Sequence, residues 1–286
     1  MSREAILLLG GTGFIGGALA CRLRQQARPV HVLDRHNIDQ LATVLPQCGT
    51  VVHLASATTP GMSARHPELE LTNLTLTLHL ADLLQTLPPT HVLFFSSGGT
   101  VYGNAAMFPV TEQSPLAPLS NYGAGKAAQE VLFQVLTTLG HAVTVIRPSN
   151  AYGPGQNMRH GFGLIRTLLE HALAGSTLEV WGDGDSVRDY IYIDDVVEAT
   201  LRLIDLTNDS GTYNLGSGVG HSINQVKAVV ERICGVTVKA AYRPSRGMDV
   251  RRIVLDTTRL QARLGWQPQV TLEQGIHTTW LNLTRS

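Results

Sequence analysis

The sequence predicts an α/β protein whose parallel β-sheet is covered by helices on both faces. Short apolar runs at residues 5–9, 92–95 and 142–146 have the length and composition of buried parallel strands. Longer segments with helical spacing separate them. A glycine-rich turn follows the first run and a serine-rich turn follows the second. In open sheets of this class, ligands bind at the carboxyl ends of the strands, so these turns are the first candidates for a site.

The composition fits one large domain, or one and a half, and argues against several classes of protein. Of 286 residues, 43% are hydrophobic, which is enough for a large core. Lys plus Arg and Asp plus Glu are both 22, so no overall charge favours nucleic acid or an anionic membrane. Eleven histidines and Cys21, Cys48 and Cys234 lack the spacing of metal sites, so we expect no metal and a reducing compartment.

The beginning of the chain and its apolar runs bear on location. A strand begins within five residues of the N-terminus, which leaves no room for a signal peptide, and no apolar run reaches ~18 residues. We therefore expect a cytoplasmic protein without a membrane span.

The first strand leads into a glycine-rich turn and a helix that we expect to end near Gln26. Gly10, Gly13 and Gly16 allow a tight turn and allow a pyrophosphate to approach the amides at the start of the helix. A turn of this kind followed by a second strand, residues 30–33, indicates a Rossmann-type dinucleotide site.

The second strand ends in an acidic residue that bears on the choice of cofactor. Asp34 lies eighteen residues after Gly16, where a carboxylate can accept hydrogen bonds from the ribose 2′-hydroxyl. NAD is favoured over NADP, because Asp34 would repel a 2′-phosphate. The adjacent Arg35 keeps NADP open, since its guanidinium could bind that phosphate.

Hydroxyls, a phenol and an ammonium group are predicted to meet beyond the strand at residues 92–95. Tyr122 and Lys126 are four residues apart on a helix that we expect from Tyr122 to about Leu139, so they share one face. A nearby Lys cation stabilises a phenolate and lowers the phenol pKa from its ordinary ~10. Tyr122 could then take a proton from an alcohol while hydride leaves the same carbon. The alternative is a buried tyrosine and a solvated lysine that are four apart by chance.

These motifs resemble the extended short-chain dehydrogenase/reductases, and within them the NAD-dependent nucleotide-sugar epimerase/dehydratase family. The matching segments follow the family order along nearly the whole chain: GGTGFIG at 10–16, VVHLAS at 51–56, SSGGTVYG at 96–103, YGAGK at 122–126, RPSNAYGPGQ at 147–156, RDYIYIDDV at 188–196 and LGWQP at 264–268. The resemblance implies a Rossmann domain over 1–150. It also implies a smaller α/β part over 151–286 that mainly binds nucleotide sugar, with some segments returning to the first domain.

The resemblance also implies a role for individual residues. The expected cofactor contacts are Gly10, Gly13, Phe14, Ile15, Gly16, Asp34, Arg35, Leu54, Ala55, Asn73, Ser96, Tyr122, Lys126 and Pro148. The expected substrate contacts are Asn150, Trp181, Arg188, Arg246 and Asp249. The two arginines would hold a diphosphate with forked donors, Asp249 the nucleotide ribose and Trp181 the base. Trp181 is as compatible with a core position, and Asn73 either bonds to the active-site strand or forms a structural bridge.

Two departures from the family pattern stand out. Only sixteen residues separate Asp34 from Val51, which leaves room for one short helix over 39–45. We therefore expect less protein on the adenine side of the cofactor site and a sheet that lacks one strand.

The second departure is Gly98, which replaces the Ser or Thr that is the catalytic hydroxyl in many 4-epimerases of the family. Thr100 is our first candidate for that role, with Ser97 or a water as alternatives. The residues at 99 and 100 are not the Asp-Glu pair of the family's dehydratases, which argues against loss of water.

The leading hypothesis is an NAD-dependent 4-epimerase of a UDP- or dTDP-linked sugar, acting through a transient 4-keto intermediate. The runner-up is an NAD(P)H-dependent reductase of a 4-keto-6-deoxy nucleotide sugar, and a non-catalytic dinucleotide-binding protein is the minor alternative.

The family often dimerises through the helix of Tyr122 and the apolar helix before it, residues 69–87. The candidate contacts for such a homodimer are Leu80, Leu84, Leu132 and Leu136. Burial of these leucines within one chain would explain their apolar character equally well.

The segment at 58–67 is expected to be a loop beside the cofactor.

Overall fold

The computed structural model describes residues 3–158, 163–245 and 250–285. The strands are β1 Ala5–Leu9, β2 Val30–Leu33, β3 Cys48–His53, β4 His91–Phe95, β5 Ala142–Pro148, β6 Asn150–Tyr152, β7 Leu178–Trp181, β8 Val187–Tyr192, β9 Gly211–Leu215, β10 Gly220–Ser222, β11 Ala240–Arg243 and β12 Arg252–Ile253. The helices are α1 Phe14–Gln25, α2 Leu41–Val44, α3 Pro60–Arg65, α4 Glu70–Leu84, α5 Asn121–Val135, α6 Leu164–Ala174, α7 Ile193–Asp205, α8 Ile223–Cys234, α9 Thr258–Leu264 and α10 Leu272–Arg285.

A six-stranded parallel sheet is the centre of the molecule, which confirms the expected fold class. Its strand order is β2-β1-β3-β4-β5-β9. Side chains of β1 alternate between two cores: Ile6 and Leu8 face one, and Leu7 and Leu9 face the other. The first core also contains residues of α1 and α7, and the second contains residues of α4 and α5. Helices therefore cover both faces, as continuous apolar strands require.

The remaining strands form a smaller part around β8. β10 pairs antiparallel with β8, whereas β6 and β12 pair parallel with it. β7 and β11 form a separate two-stranded parallel sheet. The chain returns to the central sheet at β9, which lies beside β5, so residues beyond 150 complete the first sheet.

The shortened segment after β2 contains no strand in the structure, as expected. Two 3-10 turns, Ile38–Gln40 and Leu45–Gln47, flank the single turn of α2. Within the described residues β2 is therefore the edge strand of the central sheet.

The segment expected to be a loop at residues 58–67 contains a helix instead. The Thr59 hydroxyl accepts a hydrogen bond from the Met62 amide at 3.3 Å and caps α3, whose first residue is Pro60. Proline is well suited to the first helical position, because its φ is already helical and an amide there would be unpaired. The second proline of this segment, Pro67, likewise begins a 3-10 turn, Pro67–Leu69.

Two histidines are buried within the central sheet as neutral rings. His53 on β3 is fully buried between the rings of Phe94 and Phe133, and neither of its nitrogens has a hydrogen-bond partner in the described chain. Burial lowers the pKa of His53 to about 3 and that of His91 on β4 to about 4. No helix of the described ranges is long and apolar enough to cross a membrane.

We expect acid to destabilise the fold through these two rings. Between about pH 4 and 6.5 the unfolded chain binds protons that the folded protein excludes, so stability falls as pH drops below about 6.5. The free energy of unfolding should fall by roughly 1 kcal/mol per histidine at pH 5.5. Urea unfolding at pH 7.5, 6.5 and 5.5 measures this. His53→Leu should flatten the dependence, and His277→Gln, at an exposed position of α10, should not. Equal slopes in all three proteins would contradict the assignment.

Candidate active site

The glycine-rich turn after β1 has the geometry of a pyrophosphate cradle. Gly10 has a φ of +84°, and a methyl group there would lie 2.7 Å from the Cα of Ala55. Gly13 is the N-cap of α1 and, having no side chain, leaves the first amides of the helix uncapped. These amides and the positive end of the helix can bind an anion, and Phe14 and Ile15 belong to this first turn.

Asp34 lies directly after β2, beside the same turn. Its carboxylate accepts hydrogen bonds from the Thr12 hydroxyl at 3.0 Å and from the His36 amide at 2.8 Å. The His36 amide and the Thr12 hydroxyl lower the pKa of the half-buried Asp34 carboxyl, so it is ionised at neutral pH. The adjacent Arg35 is exposed, with its Nε 3.2 Å from a ring nitrogen of His36. An anionic acceptor beside an uncapped helix suits the ribose and pyrophosphate of NAD.

Three further expected cofactor residues lie at strand ends on the same edge of the sheet. Leu54 and Ala55 follow β3, where Ala55 touches Gly10. Pro148 is the last residue of β5, and its carbonyl accepts a hydrogen bond from the Gly98 amide at 2.9 Å. The strands β1, β3, β4 and β5 are neighbours, so these residues line one continuous edge.

The side chains of Ser96 and Asn73 both hydrogen-bond to other residues of the chain. The buried Ser96 hydroxyl donates to Glu130. Asn73 does not bond to the active-site strand: its side chain accepts from the Ala57 amide at 2.7 Å and donates to Thr58 and Glu70. These hydrogen bonds are those of a structural bridge between α4 and the segment after β3, and the cofactor contact of Asn73 stays a prediction.

Tyr122 and Lys126 lie one turn apart at the start of α5, which Ser120 caps through the Gly123 amide. Lys126 is only 3% exposed, and its Nζ donates to the Phe95 carbonyl at the end of β4, at 2.9 Å. The same Nζ is 6.0 Å from the centre of the Tyr122 ring. The Tyr122 ring and the Lys126 ammonium thus lie beside the end of β4, and the meeting of a strand-end hydroxyl with them stays a prediction.

The electrostatics of the pair differ from the expectation. Burial raises the pKa of the Tyr122 phenol, and the Glu70 carboxylate raises it further. The expected lowering of this pKa by Lys126 is not what the structure indicates, because burial and the Glu70 carboxylate both raise it. Burial also lowers the pKa of Lys126, to about 8, against the opposing influence of Glu70 and Glu130. At neutral pH the pair is thus a protonated phenol beside a charged ammonium.

The two candidate hydroxyls belong to Thr100 and Ser97, in the turn that follows β4. The Thr100 hydroxyl makes a long contact of 3.5 Å with the Ser97 carbonyl, and the Thr100 backbone lies against Gly123. The Ser97 hydroxyl makes no hydrogen bond with any residue that the structure describes. Gly98 packs tightly: a methyl group there would lie 2.7 Å from Leu255 Cδ1 and 2.8 Å from the Arg147 carbonyl. A side chain at 98 is therefore excluded by packing.

The residues expected to bind substrate lie around β8. Asn150 donates to the Asp189 carbonyl at 2.9 Å, which ties β6 to the strand that carries Arg188. Trp181 ends β7 and is 39% exposed, so the core alternative for this ring is wrong. Arg246 and Asp249 lie outside the described residues.

Several buried polar residues around the site were not predicted from the sequence. Arg147 and Tyr102 lie inside recognised motifs, which could have singled them out, whereas no local pattern links Glu130 or Glu70 to the site. Asp189, in the RDYIYIDDV motif, is fully buried and accepts hydrogen bonds from the amides of Ser217, Gly218 and Leu255.

Comparisons with known proteins agree with this geometry. The model of the NAD dependent epimerase/dehydratase family matches residues 6–216. UDP-glucose 4-epimerase of Mycolicibacterium smegmatis is 33% identical over 96% of this chain and 96% of that protein. The crystal structure of Thermotoga maritima UDP-glucose 4-epimerase with UDP-glucose is 30% identical, with a TM-score of 0.91 over 98% of this chain and 99% of that one. The Thermus thermophilus UDP-glucose 4-epimerase complex with NAD is 29% identical, with a TM-score of 0.90 over 98% and 99%.

We expect Gly98→Ser to destabilise the protein by about 1–3 kcal/mol, because the added atoms must displace Leu255 or the backbone of β5. Gly99→Ser is the matched control, since a methyl group at Gly99 meets only Asn150 Nδ2, at 3.9 Å. Chemical denaturation of both variants measures the difference. Equal stability of the two variants would show that the packing around Gly98 does not prevent a side chain at this position.

Proposed function

The chain belongs to the NAD-dependent epimerase/dehydratase family, and on that basis we propose that it is a 4-epimerase of a UDP-linked hexose. It is an NAD-dependent enzyme of the extended short-chain dehydrogenase/reductase type. The observation that carries the proposal is the pairing of Tyr122 with the buried, charged Lys126 beside the end of β4. This is the arrangement needed to move one proton at one sugar hydroxyl.

Tyr122 is proposed as the group that exchanges a proton with the C4 hydroxyl. NAD supplies the hydride acceptor and donor at the C4 carbon. Because the phenol pKa is raised, Tyr122 must release its own proton to solvent before it can take the proton of the C4 hydroxyl. Lys126 acts by stabilising this phenolate, for which a charged group already in place needs no reorganisation. The sugar, now a 4-ketone, then rotates in the site. Its C4 carbon takes the hydride back on the other face and its oxygen takes the proton back, so no external reductant is consumed.

A hydroxyl beside the phenol would orient the substrate oxygen. Thr100 is the first candidate by position, since its backbone contacts Gly123, the residue after Tyr122. Ser97 is the second, because its hydroxyl makes no competing bond with described residues. Gly99 and Thr100 stand where dehydratases of the family carry an acid pair, which supports reaction at one carbon only.

The nucleotide-sugar part of the proposal is supported by the residues around β8. Arg188 offers forked donors suited to a diphosphate, and the exposed ring of Trp181 can stack on a base. Arg246 and Asp249 are proposed partners for the second phosphate and the ribose.

A reductase of a 4-keto-6-deoxy nucleotide sugar is the second candidate, and one observation favours it. β2 is the edge strand in the described residues, so the adenine side of the cofactor site has less protein around it. A cofactor held less firmly would suit an enzyme that releases it at each turnover.

The experiment that separates the two is proton NMR of the purified protein with UDP- and dTDP-sugars and no added nicotinamide. Formation of an isomer of equal mass supports the epimerase and identifies the sugar. Turnover that requires NADH or NADPH and a 4-keto sugar would instead support the reductase.

We expect Tyr122→Phe to lower turnover by about 10²–10⁴-fold, because the proton-exchanging group is lost. The fold should be unaffected, since the phenol makes no hydrogen bond with the described residues. Tyr213→Phe, which alters a phenol on β9 beside Arg259, is the matched control. Turnover above a few per cent in Tyr122→Phe would refute the mechanism.

A homodimer formed through α4 and α5 is also proposed, with different contacts from those expected. Leu80, Leu84 and Leu136 are fully buried within one chain, so they are not available to a partner, whereas Leu132 is half-buried. Four other apolar side chains on these two helices are more than half exposed: Leu71, Leu78, Val131 and Val135. Leu71 and Leu78 are seven apart and Val131 and Val135 four apart, so each pair lies on one helix face.

Charges on this face should convert the dimer to a monomer. We expect Leu78→Asp with Val135→Asp to halve the mass measured by sedimentation velocity without loss of folded structure. Leu173→Asp, an exposed leucine on α6, is the control. A wild-type protein that sediments as a monomer would overturn the proposal.

A further inference from the structure

Glu70 is a buried carboxylate placed against the helix that carries the proposed catalytic pair. It is the first residue of α4 and only 8% exposed. A methyl group at Gly125 would lie 2.7 Å from Glu70 Oε2, so the carboxylate fills the notch that this glycine leaves in α5. Gly125 is the residue before Lys126 and three after Tyr122.

Hydrogen bonds hold the carboxylate in this notch. One oxygen accepts from the Thr58 hydroxyl at 2.6 Å, and the other accepts from the Asn73 side chain at 2.8 Å. Asn73 is itself fixed by the Ala57 amide. No ion pair to Glu70 is found among the residues that the structure describes, so no directly paired cation neutralises its negative charge there.

The charges around Lys126 show what Glu70 balances. The Glu70 carboxylate on α4 and the Glu130 carboxylate on α5 both raise the pKa of Lys126, and the Lys126 charge in turn lowers the pKa of the neutral His53 on β3. The Lys126 Nζ lies 6.0 Å from the centre of the Tyr122 ring. Glu130 is already paired with Arg147 on β5, through contacts of 3.0 and 2.6 Å. Glu70 is therefore the carboxylate that remains to offset the buried ammonium, and burying a charge without such an offset is costly.

We propose that Glu70 is a positioning residue: held in the Gly125 notch by Thr58 and Asn73, it keeps the Lys126 ammonium charged beside Tyr122. The role rests on the proposed function, because it matters to catalysis only if Tyr122 and Lys126 carry the reaction. The same carboxylate raises the pKa of both groups. It therefore favours the charged ammonium of Lys126 and disfavours the phenolate of Tyr122.

The chain has only three lysines, Lys126, Lys227 and Lys239, which makes a direct titration possible. With ¹³C-labelled lysine, the Cε signals can be followed by NMR between pH 6 and 10 on the protein as purified. The signal that survives in a Lys227→Arg, Lys239→Arg variant belongs to Lys126.

Glu70→Gln is the informative variant. A glutamine can still accept from Asn73 and can donate to the Thr58 hydroxyl, so mainly the charge is lost. We expect the Lys126 midpoint to fall by about one pH unit or more. Both limbs of the pH profile of kcat/KM should also move to lower pH, because removing an anion favours loss of a proton from phenol and ammonium alike.

Two further variants separate charge from structure. Thr58→Val removes a hydrogen bond but leaves the carboxylate, and should move neither the Lys126 midpoint nor the pH profile. Gly125→Ala should push the carboxylate away from α5 and lower the Lys126 midpoint by a smaller amount, which keeps a test available if Glu70→Gln does not fold.

The proposal is overturned if the Lys126 midpoint is unchanged in folded Glu70→Gln, or if Thr58→Val shifts it equally. Should Glu70→Gln not fold, an unchanged midpoint in Gly125→Ala overturns it. Failure of the proposed function has a separate signature: Tyr122→Phe would keep its turnover, while the lysine titration would still report on the contact with Glu70.

Discussion

The buried pair of Glu130 and Arg147 is the interaction on which the site depends most. It joins α5, which carries Tyr122 and Lys126, to β5 of the central sheet through two hydrogen bonds. Arg147 also donates to the Tyr102 hydroxyl, which in turn donates to Asn214 on β9. Removing one member of such a pair leaves a buried charge unpaired, which costs about 3–5 kcal/mol. The pair therefore fixes where the helix of Tyr122 and Lys126 lies.

This arrangement explains the rest of the local electrostatics. Because Arg147 is committed to Glu130, the ammonium of Lys126 needs another carboxylate, and Glu70 lies against α5 at Gly125. His53 beneath them stays neutral, since burial and the nearby cation both oppose its protonation. A dry, charge-balanced surrounding strengthens the field that Lys126 exerts on a phenolate.

The two parts of the molecule are joined by the chain's return to the first sheet. β9 pairs with β5, and the Ser149 amide donates to the Leu215 carbonyl. Asp189, on the strand that carries Arg188, then fixes the loop after β9 and the Leu255 amide. Leu255 also packs on Gly98. The proposed substrate arginine and the turn beside Tyr122 are thus linked through a few buried contacts.

The sequence by itself determined the parallel sheet, the glycine turn, Asp34 and the pairing of Tyr122 with Lys126, because strand length, glycine positions and helical spacing are local properties of the chain. Only the tertiary structure decided the hydrogen-bond partners of Asn73, the raised pKa of Tyr122 and the place of Glu70. Each of these depends on burial or on contacts between distant residues: Glu70 meets Gly125 fifty-five positions later, and the phenol pKa follows from solvent excluded by several elements at once. No spacing along the chain encodes such quantities.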